Sequence, residues 1–268
     1  MAQAVLQVSD TDEPRQELAV HRRQRLVHLV EARGAARLEE LSAALGVSQA
    51  TVRRDLNAVS EAGRLRRVHG GAVAVDQRLD ELHFDVKAGA AAAEKGRIAA
   101  AAARLLSPTD TVYLDSGSTV LALARLLHGW TRLTVVTNSL PVAMELVGRG
   151  PRLILLGGEL RATSRAIVGP LTRHLLEDLH VDRAVMGTFA LSLEEGLMTT
   201  DPAEAFTKQL VLSRAREVIL LADSSKLGTR SFVGAGRLAD IDVFVTDSAI
   251  EAGVARKLGR RGIRVITA

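Results

Sequence analysis

The sequence holds no cysteine. Disulfides, thiolate metal sites and cysteine nucleophiles are therefore excluded. A chain without disulfides fits a reducing compartment. Long apolar runs are missing as well. Leu153-Ile154-Leu155-Leu156 and Val218-Ile219-Leu220-Leu221-Ala222 are typical of those present, and a bilayer span takes roughly 20 apolar residues. Met1 to Pro14 has no basic stretch ahead of an apolar core, so no signal peptide is expected. A soluble, cytoplasmic protein is the default reading. Lysine is scarce beside arginine, and aromatics make up only 3% of the chain.

What is present is an ordinary globular composition of 268 residues, 47% hydrophobic and 25% charged. At about 150 residues per domain, this length predicts one or two domains with a sizeable core. The net charge of +4 is unevenly placed. Residues 1–14 carry −3, and residues 76–268 carry +2. Between them, residues 15–75 hold eleven arginines and six acids, leaving +5. Arginine suits forked phosphate contacts. A basic segment on a nearly neutral body points to a nucleic-acid-binding module beside a second domain. A merely solvated basic face is the competing reading.

Residues 15–75 read as helices followed by a hairpin. Leu18, Leu26, Leu29 and Val30 form a stripe at helical spacing over 16–33, stopped by Gly34. Leu38, Leu41 and Leu45 form a second short stripe closed by Gly46. Ser48 is a good N-cap for a third helix, with Val52, Leu56 and Val59 inside and Gly63 as its stop. Leu65–Val68 and Ala72–Val75 flank His69-Gly70-Gly71 as a hairpin. Residues 76–93, with Asp76, Gln77, Arg78, Asp80 and Glu81, read as a linker. From residue 94 to 268, strands alternate with helices. Strands are expected at Thr111–Asp115, Leu133–Thr137, Leu153–Gly157, Arg183–Gly187, Val218–Ala222, Val243–Thr246 and Ile263–Thr267. Helices are expected near 95–106, 119–128, 139–148, 170–179, 202–214 and 248–259. Continuous apolar strands in such an alternation predict an α/β domain with a largely parallel sheet covered on both faces.

Residues 38–56 have the plan of a helix-turn-helix. Small Ser42 and Ala43 let two helices approach, Gly46 permits the turn, and Val47, Val52 and Leu56 lock the second helix to the first. Ser48, Gln49, Thr51, Arg53 and Arg54 are left for the groove-facing surface. Gln can read adenine and Arg can read guanine. Arg64, Arg66, Arg67 and His69 would lie along the DNA backbone as a wing. A core helical hairpin with solvated arginines is the bland alternative. The spacing, the two mid-helix arginines and the Arg-rich hairpin weigh against it.

Residues 22–75 resemble the N-terminal domain of DeoR-type bacterial transcriptional regulators. Thr51-Val52-Arg53-Arg54-Asp55-Leu56 and Arg67-Val68-His69-Gly70-Gly71-Ala72 carry the resemblance, which continues through the rest of the chain. It implies an α+β winged helix-turn-helix domain joined to a sugar-phosphate-sensing body, usually acting as a repressor. The body is then expected to be similar to the ribose-5-phosphate isomerase and CoA-transferase fold.

Several strand ends read as ligand-facing turns. Asp115-Ser116-Gly117-Ser118-Thr119 joins a strand to a helix whose amides and hydroxyls can cradle a phosphate. Thr137-Asn138-Ser139, Gly157-Gly158 and Gly187-Thr188-Phe189-Ala190 are further candidates. In a parallel sheet such turns gather at the carboxyl edge. Lys208, one helical turn after Glu204, either binds an anion or pairs with that glutamate. Lys226, in Asp223-Ser224-Ser225-Lys226, matches the family's motif there. The family's usual Ala-Asp-Gly after Gly187 is replaced by Thr188-Phe189-Ala190. The missing carboxylate argues against isomerase chemistry, which needs a positioned base. It also predicts a more apolar wall and an altered ligand. The reading is thus a non-enzymatic repressor of a carbohydrate operon, modulated by a phosphorylated sugar, with no metal or cofactor. Its partners are operator DNA and further copies of itself, as dimer or tetramer. The alternatives are a sugar-phosphate isomerase or transferase, and a constitutive DNA-binding protein whose body only oligomerises.

Overall fold

In a computed structural model the chain divides into two compact units, Met1–Val75 and Asp76–Ala268. The structure describes residues 19–33, 35–61, 64–68, 70–74, 81 and 83–268, with Arg66 and Ala74 as backbone. The expected roles of Leu18, Gly34, Gly63, His69, Asp76, Gln77, Arg78 and Asp80 lie outside the described residues, as does the Arg66 side chain.

The first unit runs α1 (Ala19–Arg33), β1 (Ala35–Arg37), α2 (Leu38–Leu45), α3 (Gln49–Glu61), β2 (Leu65–Val68) and β3 (Gly71–Ala74). The apolar stripes converge as their spacing requires: Leu26, Val30, Leu41, Val52, Leu56 and Leu65 are all buried in one cluster. Strand β1 was not foreseen. It adds to the β2–β3 hairpin in the order β1-β3-β2, pairing Ala35 with Val73 and Arg37 with Gly71. Three residues carry too little pattern to read as a strand without their partner.

The second unit contains α4 (Phe84–Gly89), α5 (Ala92–Ala103), β4 (Thr111–Leu114), α6 (Ser118–Arg125), β5 (Thr134–Thr137), α7 (Leu140–Leu146) and β6 (Arg152–Leu155). A hairpin β7 (Glu159–Arg161) and β8 (Ala166–Val168) follows, then α8 (Arg173–Glu177) and β9 (Val181–Gly187). Next come β10 (Ala190–Ser192), β11 (Gly196–Thr199), α9 (Pro202–Leu212), β12 (Ala215–Leu221), β13 (Val233–Gly236), β14 (Val243–Thr246), α10 (Ala252–Arg260) and β15 (Arg264–Thr267). All seven expected strands form, in one parallel sheet ordered β15-β14-β12-β9-β4-β5-β6.

Alternate residues of each strand enter different cores. Val112, Leu114, Val185 and Ile219 pack beneath α5 and α6. Tyr113, Ala184, Met186 and Leu220 pack on the other side with residues of α9 and α10. Burial on both faces is why these strands read as unbroken apolar runs. The β7–β8 hairpin and the small antiparallel sheet β10-β11-β13 were not foreseen. Residues 83–93, expected within a linker, instead carry α4 and the start of α5. Phe84 is buried in the core beneath the sheet.

The winding leaves a gap at one place. From β4 the chain proceeds through β5 to β6, then returns to the opposite side of β4 as β9 and continues through β12 to β15. The order reverses between β4 and β9, and ligands bind at such reversals, beyond the carboxyl strand ends.

Candidate functional site

The helix-turn-helix is built as its sequence demands. Gly46 closes α2 in the left-handed region (φ 67°), and the Ser42 hydroxyl donates to Val47 O at 2.6 Å across the turn. Ser48 caps α3, accepting from the Thr51 amide at 3.3 Å and sharing a hydroxyl–hydroxyl bond with Thr51 at 3.0 Å. Gln49, Arg53 and Arg54 are exposed on α3, and Thr51 is half-buried. Arg64 is exposed at the entry to β2. Arg67 is exposed and donates to Asn57 Oδ1 of α3 at 2.6 Å, tying β2 to α3.

Sequence reasoning missed the fourth residue of Val-Arg-Arg-Asp. Asp55 is buried inside α3, accepting from Arg22 Nε at 2.6 Å and Arg23 Nε at 2.9 Å. It fixes α1 against α3. Burial pushes the Asp55 carboxyl up, but the hydrogen bonds and charges of Arg22 and Arg23 outweigh this and hold it below its ordinary 3.8. A depressed native value means that the contribution is complete above the ordinary carboxylate range and lost as pH falls through the native value. Asp55→Asn is expected to cost the first unit about 1.5–3 kcal/mol. Far-UV dichroism in urea measures this, and the deficit should shrink in acid, where the wild type loses the same charge.

In the second unit a cavity of about 190 Å³ lies at the strand reversal. Ser116, Gly117, Ser118 and Thr119 line one side, where β4 passes into α6. Gly117 adopts φ 135° at the N-cap of α6. Gly187, Thr188 and Phe189, after β9, line another wall. A Cβ on Gly187 would come within 2.9 Å of Ser116 O, so only glycine lets the ends of β4 and β9 meet. Lys226 lines the third wall, its ammonium 5.8 Å from the centroid of the Phe189 ring. The Phe189 ring forms part of this wall. It also supports a cation.

Lys208 lines the cavity, but its ammonium is spoken for. It is buried, donates to Asp115 Oδ2 and to Gly187 O (3.1 Å), and lies 3.9 Å from Glu204 Oε1. Asp115 Oδ2 also accepts from the Gly187 amide at 3.0 Å. Asp115 therefore neutralises Lys208 and joins two strand ends instead of facing a ligand. Burial lowers the Lys208 ammonium, but Asp115, Glu204 and Glu81 overcome that and raise it. Glu204 is raised, chiefly by burial.

Besides Asp115, five more expected residues do not line the cavity. Thr137 donates to Leu114 O at 2.6 Å and accepts from the Ser139 amide, while Asn138 donates to Ile167 O at 3.1 Å. Ser139 caps α7 through the Val142 amide. These groups join β5 to its neighbours. Gly157 and Gly158 form the turn into β7, with Gly158 seated against Ile167 and Thr172.

Other residues were missed. Lys87 and Lys95, from the segment read as linker and its flank, line the cavity, so four of the chain's five lysines meet there. No arginine is among the described residues lining it. That concentration was legible in composition only once the fold had gathered it. Lys87 pairs with Glu81 at 2.5 Å. Lys95 is buried and donates to two carbonyls, Lys87 O and Ala90 O. Neither Lys95 nor Lys226 has an ion-pair partner among the described residues. Burial lowers the Lys95 ammonium. Ser164 also lines the cavity, and among the described residues its buried hydroxyl has no hydrogen-bond partner. Leaving such a group unsatisfied costs about 1–3 kcal/mol.

A helix-turn-helix with a wing, followed by a parallel α/β body with a lysine-bearing cavity at its strand reversal, defines a class: transcriptional regulators built from a DNA-binding and a sensor domain. Residues 22–78 match the DeoR-like helix-turn-helix domain, and residues 90–248 match the DeoR C terminal sensor domain. The chain belongs to the DeoR family of transcriptional regulators. It is 36% identical over 249 residues to the HTH-type transcriptional regulator GlpR of Haloferax volcanii, covering 93% of this chain and 98% of that one. It is 34% identical to the HTH-type transcriptional regulator GolR of Listeria innocua, over 91% and 96% of the two chains. Against the glycerol-3-phosphate regulon repressor of Escherichia coli identity is 33%, over 83% and 88%. Ribose 5-phosphate isomerase A of Methanocaldococcus jannaschii overlaps 50% of this chain and 53% of its own at 20% identity and a TM-score of 0.37. Among the described residues no helix is long and apolar enough to cross a membrane.

Proposed function

We propose that this chain represses a carbohydrate-catabolic operon in the cytoplasm and loses affinity for its operator when a phosphorylated sugar or polyol fills the cavity at the β4–β9 reversal. The observation that carries this is the cation arrangement. Lys95 and Lys226, without carboxylate partners among the described residues, share a cavity with the N-terminal amides of α6. A dianionic phosphate suits that combination. Ser164, Ser225 and Thr188 supply hydroxyls for the remainder of a polyol. The carboxylates in the wall are committed elsewhere: Glu81 to Lys87 and Arg161, Glu204 to Arg161 and Lys208, and Asp223 to Ser225. None is left as a base, which favours sensing over catalysis. Names of relatives, among them a glycerol-3-phosphate regulon repressor, fit the same ligand class. At least a dimer is required to place α3 on two half-sites.

Thermal unfolding of the full chain tests this, with sn-glycerol 3-phosphate and a panel of sugar phosphates set against the free polyols. A ligand at about 100 times its dissociation constant adds roughly 2.7 kcal/mol, or about 5–10 °C for a domain of this size. One phosphate should raise the transition of the second unit while its free polyol does not. Thr119→Ala and Lys226→Met should each remove most of that rise. No shift across the panel, or equal shifts with free polyols, would overturn the proposal.

A further inference from the structure

Glu81, Phe84 and Asp85 are each held to one hairpin. Glu81 Oε2 accepts from Arg161 Nη1 at 2.6 Å and from the Thr200 hydroxyl at 2.8 Å. The Phe84 amide donates to Thr163 O at 3.0 Å, and Asp85 pairs with Arg165 at 2.5 Å. Arg161 ends β7, and Thr163 and Arg165 belong to the turn between β7 and β8. Arg165 sits at φ 51°, a strained state for a residue with a side chain. Between those two turn residues lies Ser164, whose unpartnered hydroxyl lines the cavity. Glu81 lines the same cavity, with its other oxygen on Lys87 Nζ at 2.5 Å. In sequence it is also six residues beyond the end of the DNA-binding unit.

We propose that Glu81 and the β7–β8 hairpin form an anion-sensitive clamp through which the cavity controls the DNA-binding unit. The proposal rests on the effector reading above and names its route. An anion beside Lys87 competes for the ammonium that holds Glu81 Oε1 and repels the carboxylate. A ligand hydroxyl on Ser164 acts on the same turn that grips Phe84 and Asp85. The anion's competition with Glu81 favours the unclamped state, and that preference is what a population shift requires. Glu81 is a positioning residue here: it sets the coupling between two binding events.

The test uses the full chain, a DNA fragment it selects from a random pool, and inorganic phosphate or sn-glycerol 3-phosphate as probe. DNA affinity is measured by fluorescence anisotropy with and without probe, and probe affinity by calorimetry. In the wild type the probe should weaken DNA binding by a coupling factor in the range of about 5–150-fold. Glu81→Gln should bind DNA at the weakened level without probe and bind the probe more tightly. Its coupling factor should fall toward unity. Thr200→Val removes one hydrogen bond to Glu81 and should lower the coupling factor part-way, so the test survives if Glu81→Gln folds poorly. Wild-type coupling in both variants would overturn the clamp. So would probe affinity in Glu81→Gln equal to or weaker than wild type. No response to either probe in the wild type would overturn the effector reading itself, and the clamp with it.

Discussion

Lys208→Met is expected to destabilise the second unit by about 3–5 kcal/mol, the cost of leaving one partner of a buried ion pair behind. Asp115 would stay at the end of β4 with the Gly187 amide but no cation, and Glu204 would lose its nearest ammonium. Trp130 and Tyr113, the chain's only tryptophan and tyrosine, both lie in the second unit, so fluorescence in urea reports this transition. The pH dependence follows from the raised native value of Lys208. A raised ammonium contributes fully below its ordinary value of 10.5 and loses that contribution only as pH rises through the higher native one. Lys208 itself therefore adds no slope between about pH 6 and 9, whereas Glu204, raised by burial and deprived of that ammonium, should make the deficit grow with pH. Adding Asp115→Asn should recover part of the loss, because the two groups are coupled and their effects are not additive. A deficit under about 1 kcal/mol would mean the pair is solvated and free to hold a ligand.

The second large effect concerns α3. Arg53→Ala and Arg54→Ala should each weaken operator binding by about 1–3 kcal/mol if the residue reads a base edge. Both side chains are exposed, and neither has an ion-pair partner among the described residues. Stability should barely change, since surface substitutions of this kind usually stay within about 0.5 kcal/mol. The two roles separate by salt. A base-reading arginine loses affinity for one sequence in particular. A phosphate-contacting arginine weakens all sequences alike and reduces the salt slope by about 1. Wild-type affinity in both variants would move the recognition surface off α3.

The position of each of the seven sheet strands was readable from apolar runs, because burial on both faces leaves little room for polar residues. The helix-turn-helix was equally legible, since its Gly turn, cap and inner residues act within about twenty positions of one another. Long-range pairings were not legible. Nothing local marks Asp55 as the acceptor of Arg22 and Arg23, or Ala35–Arg37 as a strand. Thr137, Asn138 and Ser139 resembled ligand groups because the same hydroxyls and amides also serve to join strand ends. Their partners, Leu114 O and Ile167 O, are 23 and 29 residues away.

By itself the sequence determined the two-domain plan, the DNA-binding motif, the alternating α/β body and the strand-to-helix turn at Ser116–Thr119, all of which depend on local spacing. Only the tertiary structure decided which lysines are free. Asp115 and Lys208 are 93 residues apart, as Glu81 and Arg161 are 80 apart. A charge's role depends on what the fold places within a few ångströms of it, and chain spacing over such separations carries no record of that distance.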